Sequence, residues 1–403
     1  MPVDIGPAVS MGEMDSSTPM HRTPVTADLL HGALDVERGE RGVVACRLPA
    51  WARRRADPQL LSAQAQPAGV RLAFRTTATR IELTAHRTHM AFRGVAPRPP
   101  GRFDLLVGGE LMAQVEAEGG TAVLIDAATG AVESEPGPTQ TVRVDGLPAG
   151  EHDVEIWLPH YERVELGELR TDEPVAPLAG PRGRRWLHYG SSISQGSNAA
   201  NPTGTWIARV ALEAGLDVTN LGFSGSAMLD PFVARVMRDR PADLISLEVG
   251  INLVNADVMR MRAFTPLLHG FLDTIREGHP DTPLLLVSSP HCAMHEDTPG
   301  PAAMDFGDGG MRYRATGDPA EARAGKLTLR TIREETRWIV EQRAKTDPHL
   351  HYLDGLTLFG AADEARHPLA DNLHPGPEAH ALMAERFSAH VFGADGPFTA
   401  PSE

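Results

Sequence analysis

The feature that most constrains this chain is a rhythm in its second half. From residue 185 onward, short apolar runs alternate with helical ones. "RWLHYG" reads as a strand and "GTWIARVALEAG" as a helix. "DVTNLGF" and "ADLISLEVG" are strands, separated by the helical "DPFVARVMRD". A helix over 256–277 follows, then the strand "PLLLVSS", a long amphipathic helix over 320–345, the strand "LHYLDG" and the helix "GPEAHALMAERFSAHVF". Strands that are apolar almost throughout are buried on both faces. The alternation therefore predicts a three-layer α/β/α domain with a parallel sheet. In such sheets the ligand site lies at the carboxyl ends of the strands.

The first half has a different texture. "GVRLAFRTTATRIELTAHRT", "RFDLLVGGELMAQVEA" and "GEHDVEIWLP" alternate apolar and polar residues between Gly and Pro turns. Such period-2 runs predict an all-β sandwich, jelly-roll-like. The expected division is a disordered tail over 1–25, a sandwich over 26–175, and the α/β domain over 184–395. "TDEPVAPLAGPRG", 171–183, reads as the linker between them. No internal repeat is visible. A formal charge of −15 over 403 residues argues against nucleic acid or an anionic membrane as partner. No apolar run approaches the roughly 18–20 residues of a membrane span. The N-terminus lacks a basic segment followed by an apolar one, which points away from secretion and towards a cytoplasmic address. Cys46 and Cys292, the two cysteines, make no disulfide framework.

Each strand of the α/β half ends in a cluster of small polar residues: Gly190-Ser191-Ser192, then "NLGFSGS" with Gly225, then "VGIN" ending at Asn252, then "SSPHCAMHEDTPG", then "DNLHPG" with Asp371 and His374. Alone, each cluster reads as a turn or a helix cap. Together they converge on one rim of the sheet. A serine hydroxyl needs a base to become a nucleophile. A histidine is the usual base, and a carboxylate orients it. Asp371 and His374 stand three apart just before a helix that Pro377 opens, a spacing that lets the carboxylate reach Nδ1. A backbone N–H at the serine, one at a glycine and an asparagine amide would supply donors to an oxyanion.

In these blocks the chain resembles the SGNH (GDSL-type) hydrolases. Gly190-Ser191-Ser192-Ile193 corresponds to their Gly-Asp-Ser-(Leu/Ile), Asn220 to Gly225 to their second block, Gly250-Ile251-Asn252 to Gly-x-Asn-Asp, and Asp371 to Pro375 to Asp-x-x-His-Pro. The resemblance covers about residues 184–392. "YGSSISQG" and "NLGFSGSAML" resemble a bacterial subgroup with an N-terminal β-sandwich. The resemblance implies Ser192 as nucleophile, His374 as base and Asp371 as its carboxylate. It implies an oxyanion hole of the Ser192 and Gly225 N–H groups and the Asn252 side chain, with no cofactor. The implied reaction is hydrolysis of a short-chain ester, acetyl by preference, of a carbohydrate or polyol. The alternatives are acyl transfer through the same triad, and a glycan-binding protein with a degenerate hydrolase domain. Ser191 and Leu253 replace the family's aspartates. Because neither position belongs to the triad, Ser191→Asp is expected to keep measurable activity.

Three further groups stand out. Ser191, His291 and His295 are candidate substrate contacts. The last two stand four apart beside Glu296 and Asp297, a spacing that would suit zinc on a helix. The flanking Pro290 and Pro299 make the segment a loop, so no metal is expected. Trp157, His160 and Tyr161 could form a sugar-binding edge on the sandwich.

Overall fold

In a computed structural model the protein is described over residues 19–399, apart from 128, 179, 308 and 309. The expected tail lies outside the described residues as far as 18. Within the span expected to be tail, His21–Pro24 pairs antiparallel with Arg163–Thr171. The strands from His21 to Pro177 form an eight-stranded and a six-stranded sheet. Their facing side chains make one apolar core, with Ile81, Leu83 and Ala85 from Arg80–Phe92 and Val164, Leu166 and Leu169 from Arg163–Thr171. The expected linker begins with structure of its own. Thr171 closes a strand, and Val175–Pro177 pairs along Arg71–Thr76 at the edge of the second sheet. Pro177 is accommodated there because an edge strand can spare a donor.

The second domain is the predicted parallel sheet. Its strands are β1 (Arg185–Gly190), β2 (Asp217–Gly222), β3 (Leu244–Val249), β4 (Leu284–Ser288) and β5 (Leu350–Leu353), in the order β2-β1-β3-β4-β5. All of β3 is buried, as a strand covered on both faces must be. Its helices include α1 (Ser192–Gln195), α2 (Trp206–Glu213), α3 (Pro231–Asp239), α4 (Ile251–Asn255), α5 (Met261–Gly278), α6 (Leu329–Arg343) and α7 (Pro377–Phe392). On one side, Phe387 of α7 stacks on Trp186 of β1 and meets Trp206 of α2 edge-on, with centroids 5.6 and 5.2 Å apart.

Two expected helices are broken. The helix expected over 256–277 starts only at Met261, because Asp257 takes a left-handed conformation (φ 49°). Aspartate tolerates that region, and its carboxylate is held by Lys326 at 3.0 Å. The helix expected over 320–345 is a 3-10 turn, Pro319–Ala324, closed by left-handed Gly325, followed by α6. Thr328 caps α6 in a reciprocal box with Thr331. A hairpin not expected from the sequence, Ala302–Gly307 with Gly310–Ala315, stands between β4 and α6.

The two domains share polar and apolar ground. Leu48, Ala52, Leu60, Ala63 and Trp157 of the first domain belong to the core of the second. Arg47 is fully buried between them. Its guanidinium donates to Asn220 O at 3.1 Å and to Gly222 O at the end of β2, to Ala63 O at 2.6 Å, and to Gln195 Oε1 of α1 at 3.1 Å. It lies 5.0 Å from the Phe223 ring. Burial pushes it down to about 9, so it is charged at neutral pH. Arg71 adds a bond to Asp217 at 2.6 Å.

Arg47→Ala would strip donors from several buried acceptors at once. Each unsatisfied buried group costs about 1–3 kcal/mol. The variant is expected to lose at least about 3 kcal/mol, read as a lower urea midpoint at unchanged slope. A wild-type midpoint would deny Arg47 this role.

Candidate active site

The nucleophile candidate stands where β1 stops. Gly190 ends the strand, and a Cβ there would lie 2.2 Å from Ser194 Oγ, so only glycine allows the tight return. Ser191 then caps α1 by accepting the Ile193 N–H at 3.1 Å. This places Ser192 at the first position of a one-turn helix, its hydroxyl turned to the loop before α7. Ser192 Oγ lies 2.9 Å from His374 Nε2, and His374 Nδ1 lies 2.7 Å from Asp371 Oδ2. An ionised carboxylate only accepts, so Nδ1 carries the proton and Nε2 is left to accept from Ser192. The three residues are 2%, 4% and 7% exposed, a setting that keeps the hydrogen bonds in a low-dielectric space.

The Asp371–His374 turn holds itself. Asp371 Oδ1 accepts the N–H groups of Leu373 at 3.0 Å and His374 at 2.8 Å, and Asn198 Nδ2 donates to Oδ2 at 3.2 Å. Burial pushes the Asp371 carboxyl up, but the bond from the His374 ring and the two backbone donors outweigh it. The group stays well below the usual carboxylate range. Asn372 adopts φ 64°. The unexpected hairpin braces this turn from outside. Tyr313 N–H donates to Asp371 O at 2.9 Å, Asn372 Nδ2 donates to Tyr313 O at 3.1 Å, and the Tyr313 ring meets the His374 ring edge-on at 5.8 Å. At the hairpin's other end Phe306 packs against Phe92 of the sandwich at 5.3 Å.

The loops that carry the expected oxyanion donors are tied to α1 and to one another. Phe223 N–H donates to Gly190 O at 2.8 Å, and Ser224 N–H donates to Gln195 Oε1 at 2.9 Å. The loop bearing Gly225 is thereby tied to α1. Asn252 Oδ1 accepts the Ala227 N–H at 3.1 Å, which fixes the amide and frees its Nδ2 to donate elsewhere. Among the described residues, no hydrogen bond takes up the Ser192 N–H, the Gly225 N–H or Asn252 Nδ2. Gly225 has φ +66°, and a Cβ there would stand 2.1 Å from Gln59 Nε2. Gln59 belongs to the helix Pro58–Gln64 of the sandwich domain, so the first domain forms part of the wall.

The expected substrate contacts are not assembled here. Ser191 is 1% exposed and spent on capping. His295 is fully buried and donates Nδ1–H to Thr298 O at 2.9 Å. His291 is held by Glu364 at 2.6 Å. It lines a cavity of about 410 Å³ with Glu296, Asp297, Arg330 and Arg333, none of them in the triad. Among the described residues, no group of three or more His, Cys, Asp or Glu could hold a metal ion. The sugar-binding edge is also absent, because Trp157 and His160 are 2% and 1% exposed. Trp157 Nε1 is bound to Glu155 at 2.8 Å, and Arg71 lies over the ring at 5.1 Å.

Sequence reasoning missed Asn198, Tyr313, Gln59 and Glu248. Asn198 stands in the quoted nucleophile segment. Tyr313 could have been found from "AMDFGDGGMRYRA", which alternates apolar residues about a Gly-rich turn. Gln59 and Glu248 carry no local signal.

Residues 184–297 match the GDSL-like lipase/acylhydrolase family, and residues 29–167 match the SsfX3 N-terminal domain. The chain thus carries a GDSL-like lipase/acylhydrolase-family domain, preceded by a β-rich domain that matches the SsfX3 N-terminal domain. Among solved structures it is similar to the salicylyl-acyltransferase SsfX3 from a tetracycline biosynthetic pathway. The likeness covers 91% of this chain and 95% of that one, at 29% identity and TM-score 0.75. A protein from Bacteroides ovatus named as a GDSL-like lipase matches at 19% identity and TM-score 0.65, over 93% and 97% of the two chains. A family two carbohydrate esterase from Clostridium thermocellum matches at 15% and 0.53, over 81% and 92%. These last two show the fold. No curated protein matches the chain.

Beneath the nucleophile lies His188 of β1, fully buried between Ser246 Oγ at 2.7 Å and Ser194 Oγ at 2.8 Å. Burial lowers its pKa to about 3. In the unfolded chain this imidazole takes a proton below about pH 6.5, while the folded one stays neutral. Its contribution is therefore complete above pH 6.5 and is lost as pH falls towards 3. The stability difference between wild type and His188→Asn should be flat above pH 6.5. Below it, the wild type's advantage should shrink by up to about 1.4 kcal/mol per pH unit in urea titrations. A pH-independent difference would mean that His188 takes up a proton in the fold as readily as in the unfolded chain.

Proposed function

We propose that the protein is a serine esterase that passes through an acyl-enzyme on Ser192. The observation that carries this reading is the continuous Ser192–His374–Asp371 relay, at 2.9 and 2.7 Å, beside three uncommitted donors. His374 takes the Ser192 proton as Oγ attacks the ester carbonyl. The oxyanion forms between the Ser192 N–H, the Gly225 N–H and Asn252 Nδ2. His374 then protonates the leaving alcohol, and water, activated by the same histidine, releases the acid. The near-complete burial of Ser192 and His374, with Gln59 and Tyr313 close by, favours a small acyl group such as acetyl. A carbohydrate or other polyol is the proposed alcohol.

A second reading is favoured by the likeness of both domains to the salicylyl-acyltransferase. In it the acyl group passes to an alcohol or amine instead of water. Chemistry at Ser192 is common to both, and only the acceptor differs. Incubating the enzyme with acyl esters and mixed acceptors, and reading products by mass spectrometry, separates them.

A fluorophosphonate probe is expected to label Ser192 and to leave Ser192→Ala unlabelled. Ser192→Ala should lower kcat on p-nitrophenyl acetate by at least about 10³-fold, and Asn252→Ala by about 10²-fold. Equal labelling of wild type and Ser192→Ala would end the serine-hydrolase reading. A panel of acetylated sugars, longer esters and aryl esters then ranks the substrates.

A further inference from the structure

At the floor of the site lies a buried carboxylate that the proposed chemistry does not use. Glu248, the penultimate residue of β3, is 1% exposed. Its Oε2 accepts the Ser191 N–H at 2.8 Å and the Ser194 hydroxyl at 3.3 Å. Its Oε1 shares the Ser289 hydroxyl proton with Val249 O, each 3.2 Å from Ser289 Oγ. Ser289 Oγ in turn accepts the Ile251 N–H at 2.9 Å, one residue before Asn252. A single carboxylate thus reaches the turn that carries Ser192 and the turn that carries Asn252.

With Glu248 ionised and His188 neutral, the hydrogen bonds behind it run one way. Trp186 Nε1–H can only donate, and it donates to Ser246 Oγ at 2.9 Å. Ser246 then donates to His188 Nδ1, His188 donates through Nε2–H to Ser194, and Ser194 donates to Glu248. Every proton in this file points towards the carboxylate, which is the terminal acceptor. Burial pushes the Glu248 carboxyl up, and these donors oppose that push. Glycine at 190 is what permits the approach, since a Cβ there would stand 3.0 Å from Glu248 Oε2.

We propose that Glu248 is the positioning residue of this site, its carboxylate locking the Ser191–Ser192 turn against the Asn252 turn in place of the carboxylate that position 191 lacks. The inference rests on Ser192 being the nucleophile. It also reverses the expectation for Ser191→Asp. A second carboxylate beside Glu248 puts two like charges in one dry space, which is costly.

The test uses purified full-length Glu248→Leu, Glu248→Gln, Ser191→Asp and the double variant Ser191→Asp/Glu248→Gln. Each is assayed for kcat and KM on p-nitrophenyl acetate, for fluorophosphonate labelling rate, and for melting temperature. Glu248→Leu is expected to lower kcat about 100-fold with KM changed less than about threefold, since misplacing the turn costs the reaction more than binding. Labelling should slow in parallel. Glu248→Gln keeps an acceptor for the Ser191 N–H and should lose about tenfold. Ser191→Asp should be impaired about as much as Glu248→Leu, and the double variant should exceed Ser191→Asp by about tenfold or more, because one carboxylate is restored. Labelled wild type together with wild-type kcat in Glu248→Leu overturns the inference alone. So does a double variant whose loss is the product of the two single losses. A wild type that is not labelled at Ser192 overturns the proposed function and this inference with it. Should Glu248→Leu fail to melt cooperatively, the comparison of Ser191→Asp with the double variant decides.

Discussion

A single buried cation organises this protein. Arg47 carries its charge in a dry junction where no carboxylate pairs with it among the described residues, and its cost is met by carbonyl oxygens and one amide. Two of those carbonyls end β2, and the amide belongs to Gln195 of α1. The strand end and the nucleophile helix are thus fixed by a residue of the other domain. Gln195 is also bound to Gln66 and to His160 O, both from the sandwich, and its Oε1 orients the loop of Gly225. The sandwich is part of the framework that aims the site, and the apolar residues it contributes to the second core make the junction continuous.

Within that framework the site is built from turns that satisfy one another. The Asp371 turn supplies its own backbone donors and receives a brace from the hairpin through Tyr313. The Asn252 amide is oriented by Ala227, and α1 begins on Ser191. Buried polar groups in such a place are costly unless each is paired. Here most are paired locally, and the donors left over are the ones an oxyanion would use.

The legibility of the sequence follows from how local each signal is. The parallel sheet was readable because a strand buried on both faces writes a continuous apolar run. Ser192 stands in a short cluster at the end of such a run, whereas Asp371 and His374 stand three apart before α7, with the helices Gly355–Leu358 and Ala361–Arg366 between them and β5. The helix breaks at Asp257 and Gly325 were legible in principle, through a left-handed aspartate and a Thr-x-x-Thr box. They were hidden by apolar periodicity that runs past both breaks. Glu248 is one polar residue in an apolar strand, and Arg47 and Gln59 stand in no motif of the first half. Their partners lie far along the chain, and no spacing encodes that. Trp157 and His160 belong with them: both are buried, and Trp157 packs into the core of the second domain.

The order of the Arg47 contacts along the chain has a consequence for how the protein is made. Arg47 and its neighbours Leu48, Leu60 and Ala63 leave the ribosome well before Gln195, Asn220 and Gly222 exist. The sandwich has its own apolar core and can collapse early, as domains tend to do during synthesis. It must then wait with a guanidinium that has Ala63 O but lacks its α/β-domain partners, and with an apolar patch facing water. The nascent sandwich is for that interval a half-finished surface, and the arriving α/β chain is its intramolecular partner.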